Sequence, residues 1–453
     1  MVIAMKKHRV VITGLGVASP LGIGAAETFE SLVEKRCGIS RISAFDAGRF
    51  TSQIAGEVRA GDVKDCVPKS YRKATKVMAR DIELAVIAAY HAVKDAGIKT
   101  KCLFERGEAE AIDVDSTRFG ANIGAGLICA DINELAGALS TAAERPDTPH
   151  DRGFSLRKWG SEGMNNLTPL WLLKFLPNML ACHVTIVHDC QAPSNTITCG
   201  EASSHLAIGE AYRTIERGAA DICICGGAES KINPMGLMRQ SLLHRLVTEY
   251  NDRPENACRP FDVNRSGTVI SEGGGLIILE DLDRANARGA RIYAELVGFG
   301  ASVNATHWLS PQADGRALAL AIQKALRDAG VTPADVGLVN VFGAGTREHD
   351  AAEAAALKSV FGDRAATIPV MAVKGSIGNN GAGSGAIDIA IMTLALSRGI
   401  IPPSLNTDKV DPACGVNVVR GDPIDCRADV ALTISSALSG GQTAAMVIRR
   451  YQP

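Results

Sequence analysis

One stretch constrains this chain more than any other: Ser194-Asn-Thr-Ile-Thr-Cys-Gly-Glu-Ala-Ser-Ser-His-Leu-Ala-Ile-Gly209. The β-rich run Asn195 to Thr198 meets a tight turn, and the pattern then predicts a helix from His205 to Arg217. A strand that turns sharply into a helix exposes the side chain at its tip, and the helix N-terminus favours negative charge there. A cysteine or serine in that place reads as a nucleophile. Two residues compete for the tip, Cys199 and Glu201. The chemistry open to the chain turns on which of them holds it.

The rest of the chain alternates strand and helix patterns, which sets an α/β class with buried parallel sheets covered by helices. Strands are expected at Arg9 to Val17, Phe119 to Gly126, Ala220 to Glu229, Gly274 to Leu279, Arg291 to Phe299, Val336 to Val341, Val430 to Ile434 and Ala444 to Ile448. Helices are expected at 25–34, 79–96, 131–143, 316–329, 349–361 and 386–397. The apolar stretch 170–183 reads as helical on either side of Pro177, which breaks or restarts it. Residues 146–163 mix Pro, Asp, His and Gly and read as an exposed excursion, and 374–385 as a glycine-rich loop. No Pro- or Ser-rich linker parts the two halves, so they are expected to share an interface. At 453 residues, 46% of them hydrophobic, the chain can bury a large core.

Composition removes several function classes. A formal net charge of −1 gives no general attraction to nucleic acid or an anionic membrane. No apolar run reaches the roughly 18 residues of a membrane span, and the N-terminus lacks a signal peptide's apolar core. A cytoplasmic protein is expected. The twelve cysteines show no short-spaced metal quartet, and Cys182, Cys223 and Cys225 sit in apolar runs as reduced core residues. His205 and His349 stand apart from cysteine and carboxylate ligand patterns and read as solvated or capping histidines. Gly14-Leu-Gly-Val lacks the third glycine of a dinucleotide turn, and no GxxxxGK[ST] occurs. The glycines of 378–385 read as close backbone packing beside a pocket. No metal or organic cofactor is implied.

Several signatures in order resemble the β-ketoacyl-ACP synthases of the condensing-enzyme (thiolase-fold) superfamily. They are Val10-Val-Ile-Thr-Gly-Leu-Gly, Pro177-Asn-Met-Leu-Ala-Cys-His, Gly226-Gly-Ala-Glu, Arg259-Pro-Phe-Asp with Ser271-Glu-Gly-Gly-Gly, Lys374-Gly-Ser-Ile-Gly and Pro402-Pro-Ser-Leu-Asn. The resemblance implies a five-layered αβαβα thiolase fold with two pseudo-symmetric halves, here divided as 1–260, carrying the elbow, and 261–453. In an active member an elbow cysteine takes the acyl chain as a thioester. Two imidazoles, or in one branch a His and an Asn, hold the malonyl thioester oxygen while CO2 leaves.

Matched on Ile208-Gly209, the nucleophile position falls on Glu201, with Cys199 two residues earlier. Phe342 stands where the first histidine would be, and Asn379 where the second would be. Leu438 to Thr443 replaces the gating loop Gly-Phe-Gly-Gly-Thr-Asn. Lys374 and Asp388 remain, as do Asp350 and Glu353. A carboxylate gains from the helix dipole but does not readily carry an acyl thioester, and phenylalanine neither donates nor accepts a proton. No catalytic residues are expected.

Within the family this pattern is similar to the chain length factors of type II polyketide synthases. These pair as heterodimers with an active ketosynthase and shape the tunnel in which the chain grows. The resemblance then assigns tunnel positions to Ile128, Asp131 and Leu135, which read equally well as core or interface residues. It implies two partners: the ketosynthase, and, transiently, an acyl carrier protein. The basic run Lys69 to Arg80 is a docking candidate, though it reads first as a solvated basic helix face. The alternatives are a malonyl-ACP decarboxylase or priming factor, an active β-ketoacyl-ACP synthase using Cys199, and a carrier-protein-binding subunit with no tunnel role. The product class, whether aromatic polyketide or polyene, is left open.

Overall fold

A computed structural model describes residues 7–144 and 153–452. The chain runs twice through one plan. The first pass is strand β1 (Val10–Ser19), helix α1 (Arg80–Ala96), β2 (Phe119–Ala125), helices α2 (Ile132–Ala142) and α3 (Met179–His188), β3 (Asn195–Ile197), α4 (Ser203–Glu216), β4 (Ile222–Ser230) and β5 (Glu272–Asp281). The second is β6 (Ala294–Val303), α5 (Arg316–Ala329), β7 (Val336–Asn340), α6 (Arg347–Phe361), β8 (Pro369–Met371), α7 (Ser384–Arg398), β9 (Val430–Ser436) and β10 (Gln442–Arg450). The strands lie in the order β3-β2-β4-β5-β1 in one half and β8-β7-β9-β10-β6 in the other. Each pass gives the same order. The two half-sheets touch where β1 pairs antiparallel with β6 over Val10–Ile12.

This corrects the expectation of parallel sheets. β2, β3 and β4 run parallel, as do β7, β8 and β9, but β5 and β10 turn back antiparallel in each half. The reason is local for β10. Only the short turn 437–441, with Gly440 and Gly441 at φ 88° and 77°, separates it from β9. So short a connection permits only an antiparallel neighbour. β5 completes the first half-sheet, so the chain crosses between halves after Asp281, later than the 260/261 division.

The layers follow from where bare backbone meets helix. Gly14 and Gly16 lie inside β1 rather than in a turn after it, and a Cβ on either would run into the Ala92 and Ala88 carbonyls of α1. Gly298 and Gly300 in β6 meet the Ala325 and Ala321 carbonyls of α5 in the same way. Each outer helix therefore settles directly on its half-sheet. Between the sheets lie α4 and α7, whose Ile208, Ala211, Ile387 and Ile391 are fully buried in one apolar cluster. With α1 outside one half-sheet and α5 and α6 outside the other, five layers result. The chain has the α/β thiolase fold.

Two loop readings change. Of the 146–163 excursion, residues 146–152 lie outside the described residues; the remainder carries the short helix Leu156–Ser161, with Leu156 79% exposed. The 374–385 stretch is a helical turn, Lys374–Ile377, and a 3-10 turn, Gly381–Gly383, running into α7. Its glycines do serve close packing: a Cβ on Gly381 would strike the Glu229 carboxylate, and one on Gly385 the His205 ring. Among the described residues no helix is long and apolar enough to cross a membrane.

The halves interlock at Gly209 of α4, where a Cβ would fall 2.4 to 2.7 Å from the Phe299 ring of β6. Gly209→Ala should therefore lower stability by about 1–3 kcal/mol, as overpacking of a core contact does. A thermal melt checks this. An unchanged midpoint would mean the middle layer yields there at no cost.

Candidate active site

The elbow forms as its sequence suggests, slightly displaced. β3 ends at Ile197, a 3-10 turn covers Gly200–Ala202, and α4 begins at Ser203. Gly200, at φ 56°, takes the left-handed conformation that lets the strand turn so sharply. Glu201 points inward and is 5% exposed. Its Oε1 accepts from Lys231 Nζ at 2.9 Å and from Asn379 Nδ2 at 3.2 Å. Its Oε2 accepts from the Leu438 N–H at 2.9 Å, and its main-chain carbonyl from Ser435 Oγ at 2.9 Å. Burial works to raise the Glu201 carboxyl, but the Lys231 ammonium and the Leu438 N–H outweigh it and hold it down to about 2. Lys231 is shared, lying 3.6 Å from Glu229, which also accepts from the Ala382 N–H at 2.7 Å. A carboxylate this deep is stable only because a cation and two further donors surround it.

Cys199 is half-buried on the approach to the turn. Its N–H donates to Ser203 Oγ at 2.8 Å, and burial pushes its thiol up. A nucleophilic cysteine requires the opposite shift.

The positions that the resemblance marks as degenerate gather at the same place. Phe342, 2% exposed, packs against Ala344 and Leu438, whose N–H holds Glu201. The ring is fixed from behind: the Phe342 and Gly343 N–H groups donate to Glu353 at 2.7 and 2.9 Å. Lys374 Nζ lies 5.0 Å from the ring centroid and bonds both Asp388 oxygens, at 2.7 and 2.5 Å, in a fully buried pair. Asp350 accepts from the Phe261 and Gly345 N–H groups. The retained acids thus hold backbone and a cation in place. Asn379 accepts from the Gly381 N–H at 2.9 Å through Oδ1, so both ends of its amide are occupied.

A small apolar cavity of about 50 Å³ adjoins Phe342, lined also by Trp308, Leu309, His349 and Leu438. Arg245 braces two of its walls, Leu309 and Leu438. Its guanidinium donates to Ser439 Oγ and the Leu309 carbonyl, each at 2.8 Å, and also to the Leu438 carbonyl.

Of the two histidines read as solvated or capping, His349 does sit beside the N-cap Thr346 of α6, and His205 departs from that reading. His205 is not solvated: it is fully buried in α4, with Nε2 3.1 Å from Thr433 Oγ1, and burial lowers its pKa to about 3. His349 reaches the cavity beside Phe342, with Nδ1 3.0 Å from Thr346 Oγ1. Burial, then the Arg245 cation, lowers it to about 4, so it stands neutral. Lys231 was missed altogether. Its signal was a lysine directly after the apolar strand ending Gly226-Gly-Ala-Glu. Among the described residues no cluster of His, Cys, Asp and Glu forms a metal site.

The tunnel positions divide. Ile128 is buried, and with Asp131 it lines a second cavity of about 380 Å³, shared with Phe45, Met78, Phe175 and Ile232. Asp131 is exposed and caps α2, accepting from the Asn133 N–H at 2.8 Å. Leu135, one turn on, lies outside that lining. Nor is Lys69 to Arg80 one helix face. Residues 69–71 and 74–77 are 3-10 turns, and Arg80 opens α1 paired with Glu272 and Glu83, each at 3.0 Å.

Residues 7–285 match the family described as Beta-ketoacyl synthase, N-terminal domain, and residues 293–408 its C-terminal domain. The tetracenomycin polyketide synthase ketoacyl synthase alpha subunit of Streptomyces glaucescens is 33% identical, over 98% of this chain and 99% of that one. The 3-oxoacyl-[acyl-carrier-protein] synthase 2 of a Synechocystis strain is 32% identical, over 99% of both. The solved ishigamide ketosynthase/chain length factor superposes with a TM-score of 0.82 at 27% identity, covering 98% of this chain and 100% of that one.

The Glu201 carboxyl titrates near 2 folded and near about 4.3 unfolded. Its contribution is full above the unfolded value and is lost as pH falls through the folded one. Glu201→Gln should therefore cost about 1–3 kcal/mol at pH 7, with the two proteins converging towards pH 2. Urea unfolding across that range measures it. Parallel profiles would show that no cation stabilises the carboxylate.

Proposed function

The chain belongs to the β-ketoacyl synthase family, and from that premise we propose that it is a chain-length-factor-like subunit without condensation chemistry of its own. In this reading it pairs with an active ketosynthase and shapes the space in which a carrier-protein-bound polyketide or polyene chain grows. The observation that carries the proposal is the closed coordination of Glu201 by Lys231, Asn379 and the Leu438 N–H. Acyl transfer through the elbow needs a nucleophile there and a vacant pair of donors for the developing oxyanion. Here the tip bears a carboxylate, and the carboxylate itself fills the donor. Phe342 supplies no proton where an imidazole would, and Arg245 ties the neighbouring turn shut.

Pairing is supported by the surface. Among the described residues β3 pairs with β2 alone and ends its half-sheet, an edge that suits another strand. The segment running into α3 exposes Leu170 and Leu172, at 69% and 54%, and α3 itself exposes Ile186. Exposed apolar side chains gathered along one segment suit a partner face. A carrier protein as partner is supported by the similarity to a 3-oxoacyl-[acyl-carrier-protein] synthase and to a type II PKS ketosynthase solved in complex with its acyl-carrier protein.

Intact-mass analysis tests the proposal on the isolated chain. Neither acyl-ACP nor the cysteine-directed inhibitor cerulenin should add mass at Cys199; modification there would overturn it in favour of a working synthase. Malonyl-ACP should release no CO2 above background. Release that Glu201→Ala abolishes would instead establish a decarboxylase.

A further inference from the structure

The donors around Glu201 are held by contacts other than the ones they make to it. Asn379 donates its own N–H to the Val269 carbonyl at 2.8 Å and accepts from the Gly381 N–H at 2.9 Å through Oδ1, which leaves Nδ2 turned to the elbow. The Leu438 N–H lies in a turn that Arg245 braces from one side and the Ala437 N–H, donating to the Gln442 carbonyl at 2.8 Å, from the other. Lys231 is buried, with 6% of its side chain exposed, and the neighbouring Glu229 carboxylate stays 3.6 Å away. Glu229 is in no position to advance on it. Its carboxylate is packed against bare backbone at Gly126 and Gly381, where a Cβ on either would strike it, and its Oε2 already accepts from the Ala382 N–H.

These donors address two oxygens separately. Lys231 Nζ and Asn379 Nδ2 meet Oε1, and the Leu438 N–H meets Oε2. A planar anion with two oxygens satisfies them together, whereas a halide satisfies one side at a time. The group that does so here is a CH2–CO2− fragment on a main chain fixed by Ser435 Oγ, and that fragment is acetate less one hydrogen. We propose that Lys231, Asn379 and the Leu438 N–H form a carboxylate-binding site whose occupant is the chain's own Glu201, a tethered ligand that keeps small carboxylates out of the elbow. A buried ammonium stripped of its partner is costly, so the site, once emptied, takes up a free carboxylate from solution. The carboxyl end of a malonyl group is such a carboxylate, and the seated Glu201 refuses it. The site stands whether or not the chain pairs with a ketosynthase.

The test is a thermal melt of the full chain at pH 7 in sodium acetate and in sodium chloride of equal ionic strength. The native chain, its site filled, sets the general effect of exchanging the two salts. Beyond that effect, acetate should raise the midpoint of Glu201→Ala by about 2 °C or more, and the gain should saturate with concentration, as binding to the folded state requires. Acetamide, the neutral isostere, should give no gain. Glu201→Ala combined with Lys231→Met removes the cation and should respond as the native chain does. If Glu201→Ala does not fold in chloride, its recovery on dilution from urea into acetate supplies the same readout, with Glu201→Gln, which keeps the volume of the side chain, as the reference. An acetate response no larger than that of the native chain, an equal response without Lys231, or no recovery of Glu201→Ala in either salt while Glu201→Gln folds, overturns the proposal.

Discussion

A carboxylate buried at a strand-to-helix turn organises this molecule. Glu201 would be untenable in a dry interior without compensation, and its compensation comes from four separate parts of the chain. Lys231 follows β4, Asn379 precedes α7, Leu438 opens the turn between β9 and β10, and Ser435 lies in β9. Two of the three groups on the carboxylate itself belong to the second half. One side chain therefore locks the halves together at the point where a condensing enzyme would keep its nucleophile free. The helix N-terminus that would activate a thiolate here steadies a permanent anion instead.

Around that anion the neighbouring charged side chains hold backbone and one another in place. Lys374 and Asp388 neutralise each other fully buried, and Glu353 receives the N–H groups on either side of the Phe342 peptide. Such pairs are costly to break and contribute little when left alone, which suits a scaffold that must keep a shape without turning over substrate. Arg245 completes the closure by bonding the 438–439 turn to Leu309. Open space lies beside Ile128, between α2 and the 3-10 turn Leu173–Phe175 that carries Lys174, and also beside Arg245 and His349. A closed elbow beside an open cavity fits a subunit that shapes a chain made by its partner.

Much of the fold was legible because its elements obey local rules. Helix α5 keeps the boundaries that its pattern predicts, and Glu201 rather than Cys199 proves to be the inward-facing residue of the turn. What escaped was set by long-range contact. The antiparallel return of β5 carries no signature in its apolar run, since a buried strand reads alike in either direction, whereas that of β10 was written locally in the short glycine turn 437–441. His205 looked solvated because its environment is made by β9, far along the chain. Lys231 was missed because a lone lysine after a strand ordinarily reads as surface. Only knowing that Glu201 is buried demands a cation near it. Leu135 falls outside the cavity lining because Asp131 caps α2 and so fixes where each later side chain of the helix points.

The central claim is that bond formation belongs to the partner and none of it to this chain. It is tested most directly by pairing the unmodified chain with a ketosynthase whose own elbow cysteine has been replaced by alanine. Carrier-protein-bound substrates are then supplied and condensation product is measured. No product should form above the level of carrier protein alone, while the unmodified pair elongates normally. Turnover by the complex lacking the partner cysteine would locate a working site in this chain and contradict the claim.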